Sequence, residues 1–272
     1  MIADYHMHLR DEQEEIAHRA SAIEPFVETA LARGVDEIGF AEHVYYFRQT
    51  RSLWHVRYHT DRCSHDLEPY VDAVLEAKDR GLPVKLGLEV DYEPEREEET
   101  RELLAPYPWD YLLGSVHFID GLGVDGEPRL SDTVGVKAAW RRYFETLASA
   151  ARSGLFDSLS HPDLVKVFGQ RPPRSVEREL HGRVVDTIAE SGVAIEVSTG
   201  GLRKPVGELY PDPHFLALCR ERDVPVTVAS DAHVPSLVGS DFDRARALLR
   251  RAGYDTITLF DRRQGRQVPL DG

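Results

Sequence analysis

Seven short β-branched or apolar runs alternate with longer amphipathic stretches along this chain, and nearly every run ends in a residue able to bind a metal ion. The alternation is the signature of repeated strand–helix units around a largely parallel sheet. The strand candidates cover residues 2–6, 35–41, 84–90, 111–117, 156–160, 193–197 and 224–229. Helices are expected near 24–33, 67–80, 95–104, 134–153, 176–191, 213–222 and 242–251. Glycine or proline stands where several of these helices should stop, as in Arg33-Gly34, Arg80-Gly81-Leu82-Pro83, Ser153-Gly154, Ser191-Gly192 and Ala252-Gly253. A length of 272 residues is ordinary for an α/β barrel built around one core, so one domain over residues 1–272 is expected. Residues 45–65 and 120–133 read as long loops over one face. The tail holds one more possible strand, 256–260, followed by a polar and mobile end.

The strand ends carry the chemistry. The first reads Asp4-Tyr5-His6-Met7-His8, the second Glu42-His43, the third Gly87-Leu88-Glu89 and the fourth Gly114-Ser115-Val116-His117. The fifth ends in Ser160-His161-Pro162-Asp163, the sixth runs through Glu196 to Ser198-Thr199-Gly200-Gly201, and the seventh ends in Ser230-Asp231-Ala232-His233. In a parallel barrel these ends share one rim, so residues from position 6 to position 233 converge on one site. Residues two apart on a strand point the same way, which lets His6 and His8 hold one cation, and Asp231 and His233 another if the strand stays extended there. Imidazole nitrogen mixed with carboxylate oxygen suits zinc, manganese or iron, and six histidines with at least two carboxylates exceed what one tetrahedral ion can use. Two or three divalent ions are therefore expected, with Glu89 able to bridge a pair. Of the twelve histidines, His6, His8, His43, His117, His161 and His233 fall at strand ends. His18, His181 and His214 sit in ordinary helix or loop positions, whereas His55, His59 and His65 lie on a loop placed to cover the rim.

Composition narrows the function classes. The hydrophobic fraction of 42% and charged fraction of 29% are those of a soluble globular chain, and no segment approaches the roughly 20 consecutive apolar residues of a membrane span. A net charge of -14 argues against a broad nucleic-acid surface. Cys63 and Cys219 are too few for a disulfide scaffold or a thiolate zinc site. The first residues lack the basic stretch and apolar run of a signal peptide, so cytoplasmic residence is expected.

The rim motifs together resemble those of the PHP (polymerase and histidinol phosphatase) family over nearly the whole chain. Asp-Tyr-His-Met-His is similar to its first motif, Glu42-His43 to the second, Gly87-Leu88-Glu89 to the third and Ser115-Val116-His117 to the fourth. His161-Pro162-Asp163 and Ser230-Asp231-Ala232-His233 resemble the remaining two. The segment Glu196-Val197-Ser198-Thr199-Gly200-Gly201-Leu202-Arg203-Lys204-Pro205, with Glu208-Leu209-Tyr210-Pro211, is most similar to the monofunctional histidinol phosphatases. The resemblance implies a distorted seven-stranded TIM-like barrel with three metals. It also implies a small phosphomonoester substrate, L-histidinol phosphate, hydrolysed by a metal-bridged hydroxide in histidine biosynthesis. By that analogy His6, His8, Glu89 and Asp231 hold the first ion, and Glu89, His117 and His161 the second. His43 and His233 hold the third, with one further N-terminal ligand. Many members place a histidine or aspartate soon after the first motif; here Asp11, Glu12 and Glu14 are the candidates.

Among cations, Arg203, after the sixth strand, and Arg48, after Glu42-His43, are the candidates for phosphate contact, with Lys204 behind them. Proton delivery to the leaving oxygen falls to a metal-bound water, Asp231 or a rim histidine, and Glu196 to a supporting or substrate-amine role. Tyr45, Tyr46, Phe47 and Trp54 are placed to line an imidazole pocket. The rival readings are another phosphoesterase of the same family, acting on a nucleotide, a phosphotyrosine or a nucleic-acid end, and a non-catalytic metal-binding module. An amidohydrolase also uses His-x-His but commonly adds a bridging lysine, which no strand end here supplies.

Overall fold

The computed structural model describes residues 1–10, 13 and 15–270. Asp11, Glu12 and Glu14, the candidates for an N-terminal ligand, lie outside the described residues. The chain opens with strand β1 (Ala3–Met7), helix α1 (Glu24–Ala32) and strand β2 (Glu37–His43), followed by two 3-10 turns and the short helix α2 (Arg57–Thr60). Then come α3 (Leu67–Asp79), β3 (Val84–Asp91), α4 (Glu97–Leu104) and β4 (Tyr111–Ser115). A small hairpin, β5 (Phe118–Ile119) and β6 (Leu122–Gly123), precedes α5 (Leu130–Val134), α6 (Val136–Arg152), β7 (Ser158–Leu159) and α7 (Arg174–Ser191). The order finishes with β8 (Ala194–Ser198), α8 (Pro213–Glu221), β9 (Val226–Ala229), α9 (Phe242–Ala252), β10 (Thr256–Asp261) and β11 (Gln264–Pro269).

Seven parallel strands pair in the order β1-β2-β3-β4-β7-β8-β9 with helices between them, giving the distorted, nearly closed barrel that the sequence leads one to expect. The strands are buried along almost their whole length, as parallel strands covered by helices must be. The expected helix stops also hold: at Gly192 (φ 74°) and Gly253 (φ 92°) the chain takes the left-handed conformation that ends a helix without a Cβ penalty.

The seam between β1 and β9 is closed by a few contacts instead of a ladder. Met7 bridges Ala232, the His8 N–H donates to the Ala232 carbonyl (2.8 Å) and the Ala232 N–H to the His6 carbonyl (3.1 Å). The buried Asp4 carboxylate accepts the N–H groups of Ser230 and Gly239, both at 2.9 Å. Burial pushes this carboxyl up to about 6, against the lowering effect of those hydrogen bonds.

Tyr111 fills the barrel below the rim. Its hydroxyl donates to the Tyr5 carbonyl at 2.7 Å, and its ring passes so close to β2 and β3 that only glycine fits there. A Cβ at Gly39 would lie 2.3 Å from the Tyr111 hydroxyl, and one at Gly87 would lie 2.2 Å from its Cζ. Tyr5 and Phe260 pack against the same ring, with centroids 5.0 and 6.0 Å away.

Phe260 belongs to a hairpin that the sequence does not announce. Residues 261–270 are not a loose polar end: β11 pairs antiparallel with β10 over its full length. The reason is apolar burial, since Val268 and Leu270 lie against the core with Ile257 and Leu259. Arg263 ties the turn to the barrel through the Asp157 carboxylate, and its N–H donates to the Asp110 carbonyl at 2.9 Å. The long loop after β2 is likewise packed, with Phe47, Leu53, Trp54 and His59 buried. No helix among the described residues is long and apolar enough to cross a membrane.

The close approach of Tyr111 predicts the cost of a single methyl group. Gly87→Ala is expected to lower stability by about 1–3 kcal/mol through overpacking, read as a lower denaturant midpoint. Gly182→Ala, in α7 with nothing within 4 Å of the added carbon, should leave the midpoint unchanged or raise it, by up to ~1 kcal/mol.

Candidate metal centre

Glu89 stands at the end of β3 with histidines on every side. Its Oε1 lies 3.4 Å from His6 Nε2, 3.4 Å from His117 Nε2 and 3.1 Å from His161 Nε2. Its Oε2 lies 2.6 Å from His43 Nδ1 and 3.8 Å from His8 Nε2. Asp231 Oδ1 is 3.7 Å from His8 Nε2 and 3.6 Å from His233 Nδ1. All eight residues singled out at the strand ends as metal ligands thus converge at the rim. Four overlapping groups have ligand atoms within 4.8 Å of one another: His6, His8 and Asp231; His6, Glu89 and His161; His43, Glu89 and His117; and His8, His43 and His233.

One local expectation differs from the structure. The last strand does not stay extended to Asp231: β9 ends at Ala229 and Asp231 takes φ 54°. The turn, not the two-residue pleat, brings Asp231 and His233 together. His161 is also left-handed, at φ 25°. Such backbone is costly for residues with a Cβ and persists where the surroundings hold it.

The donor set fits divalent cations. His8 Nδ1 and Nε2 and His161 Nδ1 are buried with no hydrogen-bond partner among the described residues, and the close pair His43 Nδ1 and Glu89 Oε2 is not aligned as a hydrogen bond. Unpaired buried polar atoms cost free energy, and an ion accepting their lone pairs would satisfy them. Burial, reinforced by the neighbouring His43 and His233, holds His8 well below the usual imidazole range, so it is neutral and offers a lone pair. Burial alone would raise the Glu89 carboxyl, but the imidazoles of His6, His43 and His117 hold it well below the usual carboxylate range. Asp231 is lowered in the same way against its burial, by the adjacent His8 imidazole and the charges of His6 and His233.

A surrounding set of carboxylates and hydroxyls orients these residues. Glu196 lies 3.0 Å from His6 Nδ1 and accepts the His161 N–H at 3.1 Å. Asp91 lies 2.8 Å from His117 Nδ1. The Ser115 hydroxyl donates to Glu89 Oε1 at 2.8 Å and meets the Ser160 hydroxyl at 2.5 Å. Glu42 accepts the Leu9 N–H at 2.7 Å and Arg10 Nη1 at 2.5 Å. Asp91 went unnoticed in the sequence; its signal was its place two residues beyond Glu89, on the same face of β3.

Above the cluster lies a cavity of about 240 Å³ whose walls include Tyr45, Tyr46, Tyr58, Phe118, Asp125 and Lys204. Among the described lysines and arginines, Lys204 is the one that lines this cavity. Arg203 instead donates to the carbonyls of Ser230 (2.5 Å) and Asp231 (3.0 Å), clamping the turn after β9. Arg48 pairs with Asp66 at 2.7 Å on the exposed surface. Of the aromatic residues named from sequence, Tyr45 and Tyr46 line the cavity, while Phe47 and Trp54 pack the loop behind it. His59 is buried there too, its ring centroid 4.5 Å from that of Phe118. His55 meets Arg96, and His181 and His214 lie together between α7 and α8.

A family model described as PHP domain matches residues 4–200 of the chain. A protein of Deinococcus radiodurans named probable histidinol-phosphatase is 32% identical over 96% of this chain and 98% of its own length. The histidinol-phosphatase of Bacillus subtilis is 28% identical over 80% of this chain and 89% of its own. In fold, the chain is similar to the histidinol phosphate phosphatase of Lactococcus lactis, solved with zinc, L-histidinol and phosphate. That likeness has a TM-score of 0.74 at 21% identity, over 97% of this chain and 98% of the other.

The pairing of Asp91 with His117 has a measurable consequence. Asp91→Asn should weaken divalent-metal retention by about 10–100-fold, the usual effect of losing a carboxylate behind a ligating histidine. Elemental analysis after dialysis against graded chelator would read it.

Proposed function

The chain belongs to the PHP-domain family, and we propose that it is a histidinol-phosphatase, hydrolysing L-histidinol phosphate to L-histidinol and phosphate in histidine biosynthesis. The observation that carries this reading is the convergence of six histidines with Glu89 and Asp231 beneath a small aromatic cavity that holds a free lysine. Full-length similarity to proteins bearing that name supports the choice of substrate. A confined cavity suits a small phosphomonoester, and the net charge of -14 disfavours a nucleic-acid end.

In this reading His6, His8, Glu89 and Asp231 hold one ion, and Glu89, His117 and His161 a second. His43 and His233 contribute to a third, together with an N-terminal residue outside the described ones. Imidazole and carboxylate donors without thiolate suit zinc, iron or manganese. When bound, such ions lower the pKa of water towards neutrality and offset charge on phosphoryl oxygens. The protein's own residues do the rest. Lys204, whose ammonium group makes no hydrogen bond or ion pair with the described residues, binds the phosphate. Asp231, at the cavity edge beside His233, handles the proton that passes to the leaving alkoxide. Arg203 acts indirectly, fixing Asp231 through its backbone carbonyl. The exposed pairing of Arg48 with Asp66 assigns it no contact with substrate. Glu196 and Asp91 fix the ring orientations of His6 and His117.

Steady-state assay against L-histidinol phosphate, a nucleotide and a phosphotyrosine peptide should give turnover of the first alone, abolished by chelator and restored by added divalent metal. Glu89→Ala and His117→Ala should each cost at least ~100-fold in kcat while the far-ultraviolet circular dichroism is retained. Full activity in either variant would sink the shared-ligand assignment. Lys204→Ala should act chiefly on KM, raising it about tenfold, the loss expected for one charge-assisted hydrogen bond.

A further inference from the structure

We propose that Asp125 is the substrate-ammonium receptor of this cavity and sets a preference for phosphomonoesters of 2-amino alcohols, an inference that rests on the phosphatase reading above. Asp125 sits on the turn between β6 and α5 and lines the cavity over the metal cluster. The turn is built without its side chain. The Val124 N–H donates to the His117 carbonyl and the Gly123 N–H to the Pro128 carbonyl, both at 2.8 Å. Gly123 is packed so tightly against the Gly126 carbonyl oxygen that a Cβ there would approach it to 2.5 Å. The backbone therefore carries Asp125 to the cavity wall while its carboxylate makes no hydrogen bond or ion pair with any described residue.

A free carboxylate is out of place in a cavity built for an anion. It repels a phosphate dianion, and although Lys204 and His117 line the same cavity, neither forms an ion pair with it. The arrangement is favourable when the bound molecule brings a positive charge of its own. Once the metal ligands are set aside, the lining offers, among the described residues, one lysine, one carboxylate and five aromatic rings, those of Tyr45, Tyr46, Tyr58, Phe118 and Tyr210. These match, in turn, a phosphate, an ammonium group and a flat apolar side chain. In a 2-amino alcohol phosphate the ammonium stands two carbons from the ester oxygen, so both charges fit within one small cavity. Asp125 thus both attracts the cationic substrate and disfavours plain phosphomonoesters, the two halves of specificity.

The test compares L-histidinol phosphate with its deaminated analogue, 3-(imidazol-4-yl)propyl phosphate, on wild-type protein and Asp125→Asn. Wild type should favour the amine. In Asp125→Asn the ratio of kcat/KM for the two substrates should fall by about 10–100-fold, mainly through KM for the amine, as expected for loss of one charge-assisted hydrogen bond. Asp125→Glu, which keeps the charge, should recover part of the preference. An unchanged ratio, including one in which both substrates lose activity together, would overturn the assignment and leave Asp125 a structural residue. Wild-type protein that fails to hydrolyse histidinol phosphate at all would overturn the phosphatase reading itself. Turnover by wild type with an unchanged ratio in the variant would overturn only the role of Asp125.

Discussion

The seam between β1 and β9 is the constraint on which the rim depends. An open seven-stranded sheet would leave His6 and His8 at one edge and Asp231 and His233 at the other. The seam is held by paired backbone bonds between His6, His8 and Ala232 and by the Asp4 carboxylate, which accepts N–H groups from Ser230 and Gly239. Burying Asp4 is costly, and its raised pKa records that cost. The two N–H groups it satisfies would otherwise be left unpaired at a barrel edge. Closure and ligand assembly are therefore one event: the same few residues that finish the barrel bring the ends of the chain's ligand set together.

Much of this was legible in the sequence because parallel barrels convert order along the chain into position on a rim. The strands alternate with amphipathic helices, several of them with a glycine or proline stop, so the units could be marked. A histidine, aspartate or glutamate at their ends then becomes a neighbour of the others. What stayed hidden depends on details finer than periodicity. The fifth strand shrinks to Ser158–Leu159. Arg203 and Lys204 are adjacent in sequence, yet the 3-10 turn Gly200–Arg203 sends one to the carbonyls after β9 and the other to the cavity. Arg48 follows Glu42-His43 in sequence, but Asp66 captures it at the surface. The tail reads as polar because all of β11 but Val268 faces solvent, and Val268 alone within it carries the apolar signal.

The supporting carboxylates show how a ligand cluster is kept rigid. Glu196 touches both His6 and the backbone of His161, and Asp91 fixes His117, so single acids couple ligands supplied by different strands. Each neutral imidazole must present the correct nitrogen, and a carboxylate on the far side of the ring decides which one. The Ser115 hydroxyl does the same for Glu89 Oε1. Precision at the rim thus comes from paired strands acting together, which is why ligands on several short strands can be held as firmly as ligands on one long element.

Tyr111 gives the barrel a fixed gauge. Its ring is wedged under β2 and β3 against two glycines while its hydroxyl grips β1, and these three strands lead directly to His6, His8, His43 and Glu89. An aromatic ring does not compress, so the distance between those strands is set from below, by the width of a hydrocarbon spacer. The spacing of those four side chains is thus fixed from beneath the rim, by a residue that takes no part in the cluster itself.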